Sequence, residues 1–274
     1  MMAAGPAQCM CRYRVCDPGL AVGHKGIMSG MGLDLYVGPL TRYHVGDWLT
    51  VAQQAGQELG VPVYTVRISP ESEDKVGDPA VVHDVVVNWR AGLATAANLS
   101  AEWPEEPELP YWTDKPDWDG YGAVMLLASY DEQPDMRPQG RKGLLGRSKP
   151  QDDPWSFSES SAFNKAKISP VRYPSLLAGV EWWLPISGGP SIFQTERPTG
   201  HPTLMSSIDQ LMGELTTLNA RTLKLTPSDV GRALQNGPQP RGSKLEDVAA
   251  FGLSVFIALC ELAVVHRQPL LMDY

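Results

Sequence analysis

The sequence has little of what metal and nucleotide sites require. Cysteine occurs only four times in 274 residues, and three of the four, Cys9, Cys11 and Cys16, lie near the start. With His24 they give the spacing C-x-C-x4-C-x7-H, which lacks the paired cysteines that usually hold a structural zinc ion. A Gly-rich phosphate loop, a G-x-S-x-G elbow and an H-E-x-x-H helix are also absent from the sequence. We therefore expect no metal and no cofactor.

The first thirty residues lack an export signal as well. Arg12 and Arg14 interrupt the only stretch that resembles the apolar part of a signal peptide. We expect residues 1–30 to be a disordered or non-native extension, with Met28 or Met31 as the working initiator. Without export, we expect a cytoplasmic protein without disulfides.

Positive charge is scarce. The chain has 23 Lys and Arg residues against 31 Asp and Glu residues, a net charge of −8, and removal of residues 1–30 leaves −10. Nucleic-acid binding depends largely on cationic side chains that neutralise phosphates, so we expect no nucleic-acid partner. A basic protein, in contrast, would be attracted to this chain.

Long apolar runs are few, although 43% of the residues are hydrophobic and eight are tryptophan, which is enough for a core. One run, from Val248 to Val265, approaches the length of a membrane span. It contains Glu261 and has no cluster of basic residues beside it. We interpret it as a buried core helix and expect no membrane association.

Periodicity predicts the elements of the fold. Leu33, Leu35 and Val37 alternate with polar positions, as in a half-buried strand. The predicted sheet comprises residues near 33–45, 61–68 and 180–196, the last as a hairpin, and the predicted helices lie near 47–59, 79–97, 120–131, 203–219 and 244–266. Asp47 is the predicted N-cap of the first helix, and Ser243 with Glu246 forms a predicted capping box for the last. The pattern indicates an α+β (or mixed α/β) fold, a small mixed sheet covered by about five helices.

Residues 134–174 differ from the rest of the chain. They contain six prolines and show no sustained periodicity, which predicts one long internal loop. Residues 31–274 thus indicate a single α+β domain with a flexible insertion at about 134–174. Its first part, residues 137–149, carries five positive charges and no negative one, which fits either a solvated loop or contact with a partner.

An acidic and aromatic stretch is the first candidate site. Residues 100–119 contain seven carboxylates and four large aromatic side chains against a single lysine. Trp and Tyr are frequent anchors of protein interfaces, and carboxylates steer a basic partner toward its site. The predicted contact residues are Trp103, Glu105, Glu106, Glu108, Tyr111 and Trp112. This stretch favours a protein-binding module, such as a toxin-neutralising immunity protein, whose oligomeric state the sequence leaves open.

A group near the first strand is the second candidate site. His44 would act as a general acid or base, Asp34 would orient it, and Arg42 would hold an anion. Such a group favours a small hydrolase or transferase. Helix capping by Asp47 and packing of the nearby tyrosines explain the same residues without a substrate, so the sequence leaves open whether the protein is an enzyme.

Three stretches carry a resemblance to a known group of proteins. They are residues 31–44 (MGLDLYVGPLTRYH), 111–122 (YWTDKPDWDGYG) and 181–185 (EWWLP). They resemble a family of uncharacterised bacterial proteins that start MGLDxYVG and are usually labelled hypothetical. The resemblance spans most of the chain from Met31 onward and implies that Met31 is the original start. It implies no activity, cofactor or site residue.

Overall fold

The fold is built on a mixed sheet of six strands. The computed structural model describes residues 32–63, 77–97, 99–138 and 153–274. Its strands are β1 (Asp34–Val37), β2 (Trp112–Asp114), β3 (Trp182–Leu184), β4 (Ile192–Glu196), β5 (Pro202–Ser207) and β6 (Leu270–Asp273). Their order in the sheet is β2-β1-β6-β3-β5-β4, and β3 with β5 is a parallel pair. The predicted α+β fold is confirmed.

Helices cover both faces of this sheet. The α-helices of the described residues are α1 (Leu40–Val45), α2 (Val51–Leu59), α3 (Pro79–Ala97), α4 (Asp117–Glu132), α5 (Ser161–Ala166), α6 (Pro174–Leu177), α7 (Ile208–Arg221), α8 (Pro227–Asn236) and α9 (Leu245–His266). Side chains of β1 alternate between two cores, which confirms the period-two pattern, whereas the predicted half-buried strand is wrong because all four residues are buried. Leu35 faces a large core with α4, α7 and α9, whereas Tyr36 faces a smaller aromatic core with α1 and α3.

Two glycines allow α4 and α9 to cross closely at the centre of the large core. A Cβ atom on Gly252 would lie 2.4 Å from the carbonyl oxygen of Gly120. Real Cβ atoms essentially never approach a backbone oxygen so closely, and therefore only glycine fits at this crossing. The crossing packs α4 extensively against α9.

Helix α9 combines the length of a membrane span with the packing of a core helix. Among the described residues it is the one helix that is long and apolar enough to cross a membrane. Most of its apolar stretch is buried inside the protein, against α4, α7 and α8. This packing agrees with the predicted buried helix.

Several predicted strands have other structures. Residues 40–45 form α1 and not a continuation of β1, and residues 61–63 are neither helix nor strand, while residues 64–68 lie outside the described part. The predicted hairpin within 180–196 is also wrong, because β5 lies between β3 and β4. Residues 203–207, predicted as helix, belong to β5, where Thr203 and Met205 alternate into the interior and the strand pairs on both sides.

Two predicted helix caps are wrong as well. Thr50, and not Asp47, is the N-cap of α2, and it forms a capping box with Gln53. Asp47 instead forms an ion pair with Arg42. At α9 the N-cap is Lys244, whose side chain makes no capping bond, so Ser243 and Glu246 do not form the predicted box.

The described ends of the stretch 134–174 contain short helical segments. Residues 134–136 and 154–159 form 3-10 turns, followed by α5 and α6. Ala162 and Ala166 of α5 are buried in the large core. Residues 139–152 lie outside the described part, so the predicted flexible insertion is described only at its two ends.

Candidate functional site

The acidic loop, residues 101–111, crosses the edge of the aromatic core without regular secondary structure. Other elements hold its backbone carbonyl groups. Arg267 donates to the oxygen of Glu102 at 2.7 Å, Gln268 to that of Pro104 at 3.0 Å and Arg42 to that of Leu109 at 2.9 Å, and Arg90 donates to that of Trp103. Two side chains from α1 and α3 and two from the connection between α9 and β6 thus fix the conformation of the loop.

Glu105 connects this loop to the start of α1. Its carboxylate accepts hydrogen bonds from the amide of Leu40 at 3.3 Å, from the amide and hydroxyl of Thr41 at 3.0 and 3.1 Å, and from the indole of Trp103. The residue before α1, Pro39, offers no side-chain cap, so a glutamate from 64 positions further along the chain serves as one. Burial raises the pKa of Glu105, and these hydrogen bonds oppose the rise.

This arrangement corrects the predicted contact residues. Trp103 is 5% exposed and Glu105 3% exposed, so neither side chain is available to a partner. Glu106 and Glu108 are exposed, as is Glu102, which the prediction did not include as a contact. The carboxylates on the outside of the acidic loop are therefore Glu102, Glu106 and Glu108.

Tyr111 and Trp112 are half-buried at the end of the loop. The Tyr111 hydroxyl accepts a hydrogen bond from the Leu49 amide at 3.1 Å, and the guanidinium of Arg42 lies 4.6 Å from its ring centre. The Trp112 ring stacks on His266 at the end of α9, with ring centres 4.3 Å apart. Both aromatic side chains are thus held in place while part of each remains open to solvent.

The three residues of the predicted catalytic group have different neighbours. Asp34 accepts a hydrogen bond from the Val51 amide at the start of α2. Arg42 donates to the backbone oxygens of Asp47 and Leu109. His44 packs between Tyr43 and Trp182, with ring centres 5.3 and 5.9 Å away. These contacts connect the three side chains to separate parts of the fold.

Asp34 instead belongs to a buried group at the end of the sheet. It pairs with Asp273 in the β1–β6 register, and both carboxyl groups are 7% exposed. The Tyr43 hydroxyl donates to Asp273 at 2.8 Å. Burial raises the pKa of Asp34 to about 6, and the neighbouring Asp273 adds to this rise, while the Val51 amide and Lys115 oppose it. Sequence patterns missed Asp273 because β6 has only four residues.

Among the described residues, the structure adds no metal-binding group to those considered from the sequence. Within the described ranges, no group of three or more His, Cys, Asp or Glu side chains is placed to hold a metal ion. Cys9, Cys11, Cys16 and His24 lie outside those ranges. Cys260 is buried in the large core, and burial raises the pKa of its thiol to about 12, so it is a packing residue rather than a nucleophile.

The chain was compared with protein-family models, with curated proteins and with solved structures, and it matches none of them. The resemblance of its three sequence stretches to bacterial proteins that start MGLDxYVG stays a prediction. The acidic loop and the Asp34 group are therefore the two candidate sites of this protein.

Proposed function

We propose that the protein is a protein-binding module that docks a basic protein partner through its acidic loop. A toxin-neutralising immunity protein is one example of this class. The contacts to the partner would be made by Glu102, Glu106 and Glu108, with Tyr111 and Trp112 beside them. Trp103 and Glu105 would act from the inside, because they hold the loop in shape.

The observation that carries the proposal is the anchoring of a loop whose carboxylates face solvent. Backbone without regular structure is costly to order, yet the carbonyl groups of residues 102, 103, 104 and 109 are each bonded to a side chain from elsewhere. A surface that is ordered before binding loses less conformational entropy when a partner docks. Long ordered loops of this kind usually serve binding or catalysis.

The surroundings of the loop favour a protein partner. Val264 and Val265, at the end of α9, are 41% and 73% exposed. They adjoin His266, on which Trp112 stacks, and Arg267, which binds the Glu102 backbone oxygen, so this apolar surface lies close to the ends of the acidic loop. An apolar centre with a charged rim is the usual composition of a protein interface. The net charge of −8 would in addition speed the encounter with a basic partner.

The test is retention of a partner by a variant that lacks the three loop charges. The loop variant carries Glu102→Gln, Glu106→Gln and Glu108→Gln. The matched control carries Glu58→Gln, Glu159→Gln and Glu261→Gln, which are also exposed and change the net charge equally. Each protein is produced from the native locus with a C-terminal tag and purified at low ionic strength, and the retained proteins are identified by mass spectrometry.

We expect the original protein and the control to retain the same basic protein, which the loop variant releases. High ionic strength should release it from all three, because exposed charge pairs are screened by salt. If the loop variant retains the partner as well as the control does, the acidic loop is not the docking surface. If the original protein retains nothing that the loop variant lacks, the proposal fails.

A small hydrolase or transferase is the second candidate function. The observation in its favour is a buried carboxyl group, Asp34, with a pKa raised to about 6 beside Asp273 and within the same group as the Tyr43 hydroxyl. A group that titrates near neutral pH suits general acid or base catalysis. Chromogenic ester and phosphate substrates test it: turnover should be lost in Asp34→Asn and in His44→Ala while both variants stay folded. Absence of turnover by the original protein, or loss of stability alone in both variants, would remove this candidate.

A further inference from the structure

A cavity of about 180 Å³ lies at the opposite end of the sheet from Asp34. It is formed where β3 ends at residues 185–187, where α7 begins directly after β5, and where α9 ends. Since β3 and β5 are parallel, their carboxyl ends meet at this edge. Concave sites with an apolar lining and a few polar groups are where small molecules usually bind.

The cavity has an apolar floor and a polar rim. Ile186, Ile208 and Ala263 line it and are buried, whereas Ser100 and Ser187 line it from the exposed side. The backbones of the two serines are joined by a pair of hydrogen bonds of 2.9 and 3.1 Å, so the rim is fixed. A ligand in this cavity would meet an apolar surface below and hydroxyl groups above.

Two side chains of opposite charge line the same cavity and form no ion pair with each other. Asp209 lies exposed in the first turn of α7, and in the described part of the chain its carboxylate takes part in no hydrogen bond or ion pair. Arg267 follows α9 and uses one guanidinium nitrogen to bind the Glu102 oxygen. Arg267 is exposed and has a left-handed backbone with φ 51°, because it is the C-cap of α9.

We propose that this cavity binds a single free amino acid with an apolar side chain. Its carboxylate binds the guanidinium of Arg267, its ammonium group binds the carboxylate of Asp209, and its side chain lies on the floor at Ile186 and Ile208. An amino acid is the smallest common ligand that carries both charges and an apolar group. The cavity has space for roughly six water volumes, which suits a molecule of this size and is too small for a nucleotide.

Calorimetric titration with L-leucine and two analogues tests the ligand class. The analogues are 4-methylpentanoate, which lacks the ammonium group, and 3-methylbutylamine, which lacks the carboxylate. Both keep the apolar side chain, so they separate recognition of the charges from simple burial of apolar surface. We expect leucine to bind and each analogue to bind at least about tenfold more weakly, because each leaves one charge of the cavity without a partner. Lysine and glutamate should bind more weakly than leucine, since the floor is apolar.

Two variants test the site. Asp209→Asn removes the negative charge, and Arg267→Asn removes the guanidinium with a residue that tolerates a left-handed backbone. Glu261→Gln is the control, because it removes an exposed charge on α9 outside the cavity. We expect leucine affinity to fall at least about tenfold in both variants and to be unchanged in the control. The variant that lacks the three loop charges should also keep its leucine affinity, which separates this site from partner docking.

Three results would overturn the proposal. The first is that leucine produces no binding heat and no shift of melting temperature in the original protein. The second is that either analogue binds as tightly as leucine. The third is that leucine binds equally to the Asp209 and Arg267 variants, while circular dichroism shows both to be folded.

Discussion

Replacement of Glu105 by alanine should destabilise the protein more than any other single change of a glutamate in the acidic loop. Its carboxylate accepts four hydrogen bonds, from Leu40, Thr41 and Trp103, and it is 3% exposed. After Glu105→Ala these donors would be buried without an acceptor, at a cost of about 1 kcal/mol each. We therefore expect the free energy of unfolding to fall by about 4 kcal/mol, a large share of the stability of a typical domain.

Urea unfolding followed by tryptophan fluorescence would measure this change. Glu106→Ala is the matched control, because Glu106 is exposed on the same loop, and its effect should stay within about 0.5 kcal/mol. Glu105→Gln should have an intermediate effect, since its amide keeps one acceptor oxygen but directs an NH2 group toward buried donors. If Glu105→Ala and Glu106→Ala unfold within about 1 kcal/mol of each other, the buried cap is not a stabilising contact and the anchoring argument for the loop fails.

Buried groups elsewhere give three more predictions. Because the folded state binds a proton at Asp34 more tightly than the unfolded chain does, the free energy of unfolding should fall by about 2–3 kcal/mol from about pH 4 to about pH 6 and then level off. The urea midpoint of Asp34→Asn should not fall over this pH range. If it falls as in the original protein, other groups cause the pH dependence. Gly252→Ala should destabilise the protein by about 3 kcal/mol or more, because its Cβ would meet the backbone of Gly120. Gly213→Ala is the control and should be neutral or slightly stabilising, because the space around Gly213 is open. Equal melting temperatures of the two variants would contradict this prediction. Glu214→Ala should lower the free energy of unfolding by about 3 kcal/mol, because it removes three hydrogen bonds. Hydrogen exchange at the α6 amides should become faster. Unchanged exchange there would contradict the capping role of Glu214.

Long apolar helices were the part of the fold that the sequence predicted well. Helices α3, α4 and α9 lie within two or three residues of their predicted bounds, because each has many apolar residues between clear breaks. Short strands were predicted poorly. Strands β2 and β6 have three and four residues, too few for an alternating pattern, and tertiary pairing decides their structure.

The error at residues 203–207 has a specific cause. Leu204 and Ile208 are four residues apart, which fits a helix, and the pattern therefore extended α7 toward its N-terminus by five residues. In the structure Ser207 is the N-cap of α7, and its side chain accepts a hydrogen bond from the Gln210 amide. The residues before it belong to β5, which pairs with both β3 and β4. Pairing with a strand on each side stabilises residues 203–207 more than a weak helical pattern does. Local sequence does not show which strands will pair.

The sequence did not predict which carboxylates are buried, because a count of Asp and Glu residues does not distinguish buried side chains from exposed ones. Glu105 and Glu214 each accept amide hydrogen bonds at the start of a short helix, and Glu132 accepts those of residues 171, 172 and 173. Neither α1 nor α6 has a side-chain cap of its own, so distant glutamates provide the acceptors that their first turns need. Part of the acidic surplus is thus structural. Within the acidic loop the exposed carboxylates are Glu102, Glu106 and Glu108, and this is why the charge-neutralising variant must change these three and leave the buried Glu105 intact.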